Sequence, residues 1–400
     1  LIQEKANAVN QNIKLDFTKT RIYLNLKELN LVVKLKKPKF LIRENQINLS
    51  KLNLYLSIKY FFSSNFLLKR AEIAFTKNHI KDLTKITRIF VPKIINKKIN
   101  KVFAAGEVEG EFIIPFNDDG TISKDYGFSG KILDASINLT KEFRIKKLTT
   151  EINHKKDNNL NIFNIKITKG SFLDFELTDS VFKLKRDSNK VEVSSLLNTV
   201  GEFNFDKVQK ISSLLNFNFN NIKDIKGKLD LKTNFEFKIN KNYRIKDLIY
   251  STKGIIPYGE ITFKEKKIIK KYLPEYKDSI IFKDSKINLI TTKLNNTIEL
   301  TGYMKVSNDF DNFNIKQNYN FNKKNFDIDG KIDLTHSKIN IFRLNYIKDS
   351  GQKSEVNIQC NFILNKYFNI SSLLFESDKS KISISNLNLN KNFEIDNFDS

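Results

Sequence analysis

Apolar and polar residues alternate with a period of two along most of this chain, which is the pattern of β-strands that have one apolar face and one polar face. Between Leu229 and Ile239, Leu, Phe and Ile alternate with Asp, Lys, Asn and Glu. The same alternation fills residues 51–60 and 326–334. Strands buried inside a parallel sheet would be apolar on both faces, so the pattern predicts an all-β fold of antiparallel strands.

Short turns and changes of phase interrupt the alternation. Residues 117–120 read Asn-Asp-Asp-Gly between apolar runs and predict a hairpin turn. The apolar positions shift by one after Ile162, and shift again between Ile384 and Leu387. An added residue that exchanges the two faces predicts a β-bulge or a short turn, and a bulge increases local twist. We therefore expect an elongated, twisted sheet that curls into a groove.

Helical spacing is confined to three short segments, which cannot cover the apolar face of so many strands. The segments are residues 79–101, residues 206–215 and residues 263–272. This predicts N-terminal amphipathic strands in residues 1–78, a helical insertion in residues 79–101 and repetitive β-structure in residues 102–400. Because the sequence opens at Leu1 within patterned sequence, we expect it to be a fragment of a longer chain.

A weak internal repeat accompanies the strands. Gly-Lys followed by Ile or Leu occurs at Gly130, Gly227 and Gly330, at intervals of about 100 residues. Glycine inside a strand permits close backbone approach or a bend. If the three matches are related, the protein is an array of similar units; in so biased a composition they are also compatible with chance.

Composition narrows the classes of protein further. The chain has 400 residues, of which 40% are hydrophobic and 12% aromatic, so general disorder is excluded. It carries 69 Lys and Arg against 45 Asp and Glu, a formal net charge of +24. Lys, Ile and Asn dominate, as in AT-rich coding sequence, so we interpret the charge mainly as a solvated polar face. A surface for anionic lipid or nucleic acid is the alternative, and we expect no nucleic-acid partner.

Candidate chemistry is sparse. His79, His154 and His336 have no second ligand at metal-binding spacing, and we expect each in a loop or at the surface. The single cysteine, Cys360, lies in the apolar register of its strand and is interpreted as a core residue. There is no phosphate loop and no dinucleotide fingerprint. We therefore expect a non-enzymatic protein without catalytic residues, metal or cofactor.

The apolar face must still be covered. It can pack on itself in closed sandwiches, face lipid as an outer-membrane barrel, or line a trough filled by an apolar ligand. We prefer the trough because the pattern is uniform, and because each acyl methylene removed from water is worth roughly 0.8 kcal/mol. The expected lipid-groove lining comprises Leu54, Leu56, Phe175, Phe235, Phe237, Phe313, Ile332 and Phe362.

Several segments resemble the AsmA-like family of bacterial envelope proteins, which includes TamB and YhdP, and its chorein-type relatives. They are LDFTKTRIYLNLKELNLVVKL, INLSKLNLYLSIKYFF, NFLLKRAEIAFTKNHIKDLTKITRIF, AAGEVEGEFIIPF, VQKISSLL, GKLDL and GKIDL. The resemblance covers most of the chain. It implies a curled β-groove with a periplasmic body, anchored to the inner membrane by an N-terminal segment that lies outside this sequence.

The resemblance also implies a function. The partners would be phospholipid acyl chains, together with the inner and outer membranes reached through segments outside this chain. The protein would conduct phospholipid between the two membranes or support outer-membrane assembly. The alternative that stays open is a structural or adhesive envelope protein built of closed β-sandwiches.

Overall fold

The structure is a computed structural model. It describes residues 13–399 except 43–44, 59–67, 84–100, 122, 124, 139–141, 158–159, 188–189, 216–221, 241–244, 265–266, 364–365, 379 and 391–394. The fold is all-β, with 76% strand and 6% helix, and the strands pair antiparallel. This confirms the fold class that the period-two pattern predicts. No helix in the described part of the chain is both long and apolar enough to cross a lipid bilayer.

The chain divides into two compact units. Unit 1 comprises residues 1–195 with 238–244, and unit 2 comprises residues 196–237 with 245–400. The division falls inside the segment 102–400 that the sequence pattern treats as continuous.

The first thirteen strands are β1 (Ile13–Asp16), β2 (Lys19–Asn25), β3 (Asn30–Lys36), β4 (Lys39–Ile42), β5 (Asn45–Ser57), β6 (Leu68–His79), β7 (Phe103–Pro115), β8 (Gly127–Asn138), β9 (Arg144–Asp157), β10 (Leu160–Phe172), β11 (Phe175–Arg186), β12 (Val191–Asn204) and β13 (Ile222–Ile239). In unit 1, β5 to β11 form a meander in which each strand pairs with the next. β5 also pairs with β3 and β4.

The remaining strands are β14 (Ile245–Phe263), β15 (Ser279–Thr291), β16 (Asn295–Lys305), β17 (Phe310–Asn320), β18 (Asn325–Asp333), β19 (Ile339–Ile341), β20 (Tyr346–Lys348), β21 (Ser354–Ile363), β22 (Tyr367–Ser377), β23 (Ser380–Leu389) and β24 (Ile395–Asp399). In unit 2, β14 to β18 form a meander that continues through β21 to β24. β19 and β20 form a separate small hairpin.

Two helices occupy predicted positions. Helix α1 (Phe205–Leu215) matches the predicted segment 206–215 closely. Helix α2 (Lys267–Tyr272) occupies only the second part of the segment 263–272, because Phe263 is the last residue of β14 and completes its pairing there. Of the predicted helical insertion 79–101, residues 80–83 and 101–102 are helical, and residues 84–100 lie outside the described part of the chain.

The turn at residues 117–120 is confirmed, because the Gly120 amide donates a 2.9 Å hydrogen bond to the Asn117 carbonyl oxygen. One predicted bulge is also confirmed: the pairing of β23 with β24 shifts register between Ser385 and Asn388, where Asn386 has φ +52°. The other is wrong, since β10 pairs regularly from Leu160 to Ile167 and its register shifts lie beyond Ile167.

The physical reason for that error is a residue on the other face. Ile162 lies directly between Lys155 of β9 and Lys185 of β11. It is nevertheless 8% exposed. Side chains directly opposite on neighbouring strands approach closely, so the lysine methylenes flank Ile162. An apolar residue on the polar face therefore produces the same sequence pattern as a change of phase in the strand.

Unit 1 has one sealed apolar corner at its N-terminal end. Leu15 of β1 forms a buried cluster with Val33, Leu35 and Leu52 from β3 and β5. A neighbouring buried pair, Ile47 and Leu49, is covered in part by Leu83 from the helical turn after β6. This corner is a two-layer packing, because β1 pairs with β4 and returns over β3 and β5.

Candidate functional site

The apolar registers of unit 2 align into one continuous face. Its clearest row is aromatic: Tyr319 of β17 contacts Phe326 of β18, with ring centroids 4.5 Å apart. Phe326 stacks on Phe362 of β21 at 4.9 Å, and Phe362 stacks on Phe368 of β22 at 5.3 Å. Successive residues of the row are direct cross-strand partners, so the antiparallel register itself builds the row.

Aliphatic rows run beside the aromatic row on the same face. Phe313 pairs with Ile332, which pairs with Val356 of β21, which in turn pairs with Phe375 of β22. Three of the predicted lining residues, Phe313, Ile332 and Phe362, therefore share one face of unit 2. Cys360 lies on it as well, as predicted, and is 6% exposed. Burial raises the pKa of its thiol, which favours the unreactive protonated form.

Strand β13 keeps its alternation throughout, with half-buried apolar residues between exposed polar ones. Phe235 and Phe237, also predicted lining residues, stack on each other at 5.9 Å. The Thr233 hydroxyl lies 3.0 Å from that of Thr252 in β14. A Cβ atom added to Gly227 would lie 2.5 Å from both the Phe203 ring and the Tyr258 carbonyl oxygen, so this glycine permits close strand approach.

Exposure separates the predicted lining residues into two groups. Phe235, Phe237, Ile332 and Phe362 are only half-buried. Phe313, by contrast, is 4% exposed, with the Phe282 ring against it at 5.6 Å.

In unit 1 an apolar face of the same kind crosses β6 to β10. The ring centroids of Phe75 and Phe112 lie 5.9 Å apart, and those of Phe112 and Phe128 lie 4.6 Å apart. Phe128 pairs with His154 of β9, and the His154 ring lies 4.5 Å from Phe163 of β10.

The expectation of a loop or surface position is wrong for His154, which is 5% exposed. It occupies an aromatic position of the apolar face and satisfies its Nε2 atom with the Asn161 side chain at 3.1 Å. His79 is exposed at the end of β6, as expected, and His336 lies in a loop.

The other predicted lining residues of unit 1 lie in more closed surroundings. Leu54 and Leu56 are half-buried and pack against the sealed N-terminal cluster of Leu15, Val33, Leu35 and Leu52. Phe175 opens β11 opposite Phe172 and is 4% exposed. The lining is therefore half-open in the strands of unit 2 and more enclosed at these places in unit 1.

A buried polar cluster lies at the end of the unit 2 strands where β18 leads into the β19–β20 hairpin. Lys348 is fully buried, and its Nζ atom donates to the carbonyl oxygens of Leu334, Thr335, Ser337 and Asp349 at 2.8–3.1 Å. Burial lowers the pKa of Lys348.

Asp311 is the acidic member of this cluster and is 4% exposed. Its carboxylate accepts hydrogen bonds from the backbone amide and the ring of His336, the latter at 2.8 Å, while burial raises its pKa. Sequence reasoning missed the whole cluster, because its residues meet only through the turn geometry.

The polar faces, which lie opposite the apolar ones, have regular ion pairs between neighbouring strands. The lysine of each Gly-Lys repeat forms an ion pair with a glutamate on a neighbouring strand: Lys131 with Glu151 at 2.9 Å, Lys228 with Glu202 at 2.9 Å and Lys331 with Glu355 at 2.7 Å. The three Gly-Lys dipeptides thus have the same structural role in β8, β13 and β18.

Asparagine also has a structural role on the polar face of unit 2. The Asn369 side chain donates to Asn388 at 2.7 Å, and Asn388 donates to Asn397 at 2.6 Å. Asn361 extends the row, donating to Asn369 at 3.4 Å. This ladder stabilises β21 to β24 from the face opposite Phe362 and Phe368, so part of the asparagine bias is structural.

A cavity of about 730 Å³ in unit 1 lies mostly on the polar face. Its lining includes Glu109, Glu111, Lys131, Glu151 and Asn153. A smaller one of about 340 Å³ in unit 2 is lined by Lys316, Asn318 and Asp327 among others. Among the described residues, no group of three or more His, Cys, Asp or Glu side chains is arranged to hold a metal ion.

Comparison of the chain with protein-family models, with curated proteins and with solved structures finds no match.

Proposed function

We propose that the apolar faces of this protein bind phospholipid acyl chains, and that the protein is a non-enzymatic envelope component that conducts phospholipid between the inner and outer membranes or supports outer-membrane assembly. The periplasmic location and the inner-membrane anchor are part of the same proposal. The sequence resemblance described above supports them.

The observation that carries the proposal is the continuous apolar face of unit 2. Its aromatic row from Tyr319 to Phe368 extends across consecutive strands and stays half-buried, whereas in the row beside it Phe313 and Phe375 are buried. Large uncovered apolar faces are rare in proteins that have no ligand or partner. An acyl chain laid across the strands would cover such a face without any fixed catalytic residue.

Site-specific photo-crosslinking tests acyl-chain binding. A photoreactive phenylalanine analogue replaces Phe326 on the apolar face, and in a matched variant it replaces Asn314 on the polar face of β17. After expression in a Gram-negative host and irradiation, we expect phospholipid adducts by mass spectrometry at position 326 and few at position 314. Equal labelling at the two positions, or no adduct at position 326, would contradict the proposal.

The alternative, a scaffold of closed sandwiches, is favoured locally by the sealed corner around Leu15 and Leu52. It predicts that the purified chain carries no phospholipid and that position 326 crosslinks to protein only. The same irradiation experiment therefore separates the two functions.

A further inference from the structure

The small β19–β20 hairpin of unit 2 presents three large apolar side chains to solvent. Phe342 is 50% exposed, Leu344 is 60% exposed and Ile347 is 59% exposed. We call these three residues the apolar tip. The ring of Tyr272, the last residue of α2, lies 5.7 Å from the Phe342 ring and is itself 39% exposed. An apolar cluster at the end of a short hairpin is not explained by packing within the unit.

The base of the hairpin is held firmly. Ile339 is 7% exposed, and Lys348 is fully buried beneath four carbonyl oxygens. The Tyr346 hydroxyl lies 2.9 Å from the Ser377 hydroxyl, and its ring packs on Phe375. Asn345 takes the left-handed conformation that turns the chain after Phe342–Leu344. The exposed residues therefore project from a structured base and are not part of a loose loop.

Exposed lysines lie in the segment that carries α2 and at the start of the hairpin. Lys264, Lys271 and Lys277, in the segment that carries α2, are exposed. Lys338 begins the hairpin and is 40% exposed, with Asp349 as its partner at 3.2 Å. Glu275, Asp278 and Asp349 also lie in this region, within a chain whose net charge is +24.

From this combination we infer that the apolar tip is a membrane-docking site, which inserts Phe342, Leu344 and Ile347 into the interface of a bilayer that contains anionic lipid. Amphipathic elements with an apolar side and basic neighbours bind such interfaces by apolar burial and electrostatic attraction. The docking does not depend on acyl-chain binding by the sheet face.

Two other occupants fit less well. A stable protein interface buries roughly 800 Å² on each partner, which three side chains do not provide. A second copy of this chain carries the same net charge of +24 and would be repelled. A lipid surface needs only shallow insertion of a few side chains, and its negative charge complements the lysines.

The chain contains no tryptophan, so a single introduced one is a specific reporter. Phe342→Trp places it at the tip, and Tyr303→Trp places it at a similarly exposed position, 45%, on β16. Vesicles are made of phosphatidylcholine, with or without about 30% phosphatidylglycerol, and carry brominated acyl chains. We expect a blue shift and quenching for Phe342→Trp with the anionic vesicles, weakened by salt, and no change for Tyr303→Trp.

A second variant tests the same site by vesicle flotation. The triple substitution Phe342→Ser, Leu344→Ser and Ile347→Ser should weaken binding to anionic vesicles at least roughly tenfold, because apolar burial is lost. Circular dichroism and the protection of β14–β18 amides from exchange should stay unchanged, since all three side chains are exposed.

An unshifted emission of Phe342→Trp, equal quenching of Tyr303→Trp, or undiminished flotation of the triple variant would overturn the inference. The crosslinking at position 326 is read separately, so failure of docking and failure of acyl-chain binding are distinguishable.

Discussion

At the scale of single residues, the polar face of unit 1 has one closely connected ionic group. Lys51 of β5 lies 2.7 Å from Glu72 of β6 and 2.8 Å from Glu111 of β7. Arg70 lies 3.2 Å from Glu72 and stands over the Tyr55 ring at 4.1 Å. Exposed pairs contribute little to stability, but the Glu72 side chain is only 12% exposed and has two cationic partners. Lys51, which pairs with Glu72 and Glu111, therefore links β5, β6 and β7 at their polar side.

The stability of this region should depend on pH through Glu72. Burial alone would raise the pKa of Glu72. The hydrogen bond from Lys51 and the contacts with the other partners lower it by more, so the pKa lies below its ordinary value. A carboxyl group whose pKa is lowered by folding stabilises the folded protein at pH values above its ordinary pKa. This stabilisation is lost as the pH falls through the pKa that the group has in the folded protein. We expect Glu72→Gln to lower the free energy of unfolding by about 2 kcal/mol at neutral pH.

The difference should shrink as the pH falls below the ordinary carboxyl pKa, and it should vanish once the pH lies below the lowered pKa of Glu72 in the folded protein. Urea unfolding followed by circular dichroism, with amide exchange in β5 and β6, measures it. Glu151→Gln is the matched control, because its partner Lys131 and Glu151 itself are both well exposed, and it should change little. A constant difference at all pH values would show that Glu72 acts through packing and not through its charge.

At the scale of elements, the glycines of the Gly-Lys repeat determine how closely strands approach. A Cβ atom added to Gly130 would lie 2.6 Å from the Glu109 carbonyl oxygen and 2.7 Å from the Phe128 ring. One added to Gly330 would meet two side chains and no backbone atom, Ile358 at 3.1 Å and Ile315 at 3.9 Å. The three positions are equivalent in their ion pairs but unequal in their tolerance of a side chain.

Gly130→Ala should accordingly destabilise the β7–β8 pair. We expect a loss of about 1–3 kcal/mol, because the neighbouring backbone and ring must move. Gly127→Ala, three residues earlier in the same strand, meets only the His154 carbonyl oxygen at 3.9 Å and should be close to neutral. Thermal unfolding and amide exchange in β7 and β8 measure both. Equal effects of the two substitutions would show that strand propensity, and not close approach, is what alanine changes.

Sequence alternation predicts the elements well because each strand has one apolar and one polar face, so Leu229–Ile239 and 326–334 are found in β13 and β18. It does not predict register between strands. Register here depends on bulges in which residues such as Asp134 and Lys147 have positive φ, and nothing in their side chains marks them beforehand. The asparagine ladder and the position of His154 follow from register and were missed.

At the scale of the whole molecule, the sequence predicts the fold class but not the polar contacts that form between distant turns. The all-β antiparallel fold follows from periodicity and is confirmed. The lining residues follow from the same periodicity, because the face of a strand is determined by position within it. The group formed by buried Lys348, buried Asp311 and the half-buried His336 could not be predicted, since it forms from a turn and a hairpin that meet only after folding.

The proposed passage of lipid over the sheet face makes a prediction about charge. Phe237→Asp puts a carboxylate on the apolar face of β13, where an acyl chain would have to desolvate it, at a cost of several kcal/mol. Asn234→Asp puts the same charge on the exposed polar face of the same strand. We expect Phe237→Asp to reduce the transfer of a fluorescent phospholipid between donor and acceptor vesicles by roughly tenfold or more, and Asn234→Asp to leave it unchanged.

Circular dichroism and amide exchange in β13 and β14 establish that both variants are folded. Because lining residues would act collectively, Phe237→Leu should transfer lipid at nearly the normal rate, so that charge and not the loss of one ring is responsible. If folded Phe237→Asp transfers lipid as fast as Asn234→Asp, acyl chains do not pass over this strand. The apolar face of unit 2 would then have to be explained by a protein layer that covers it.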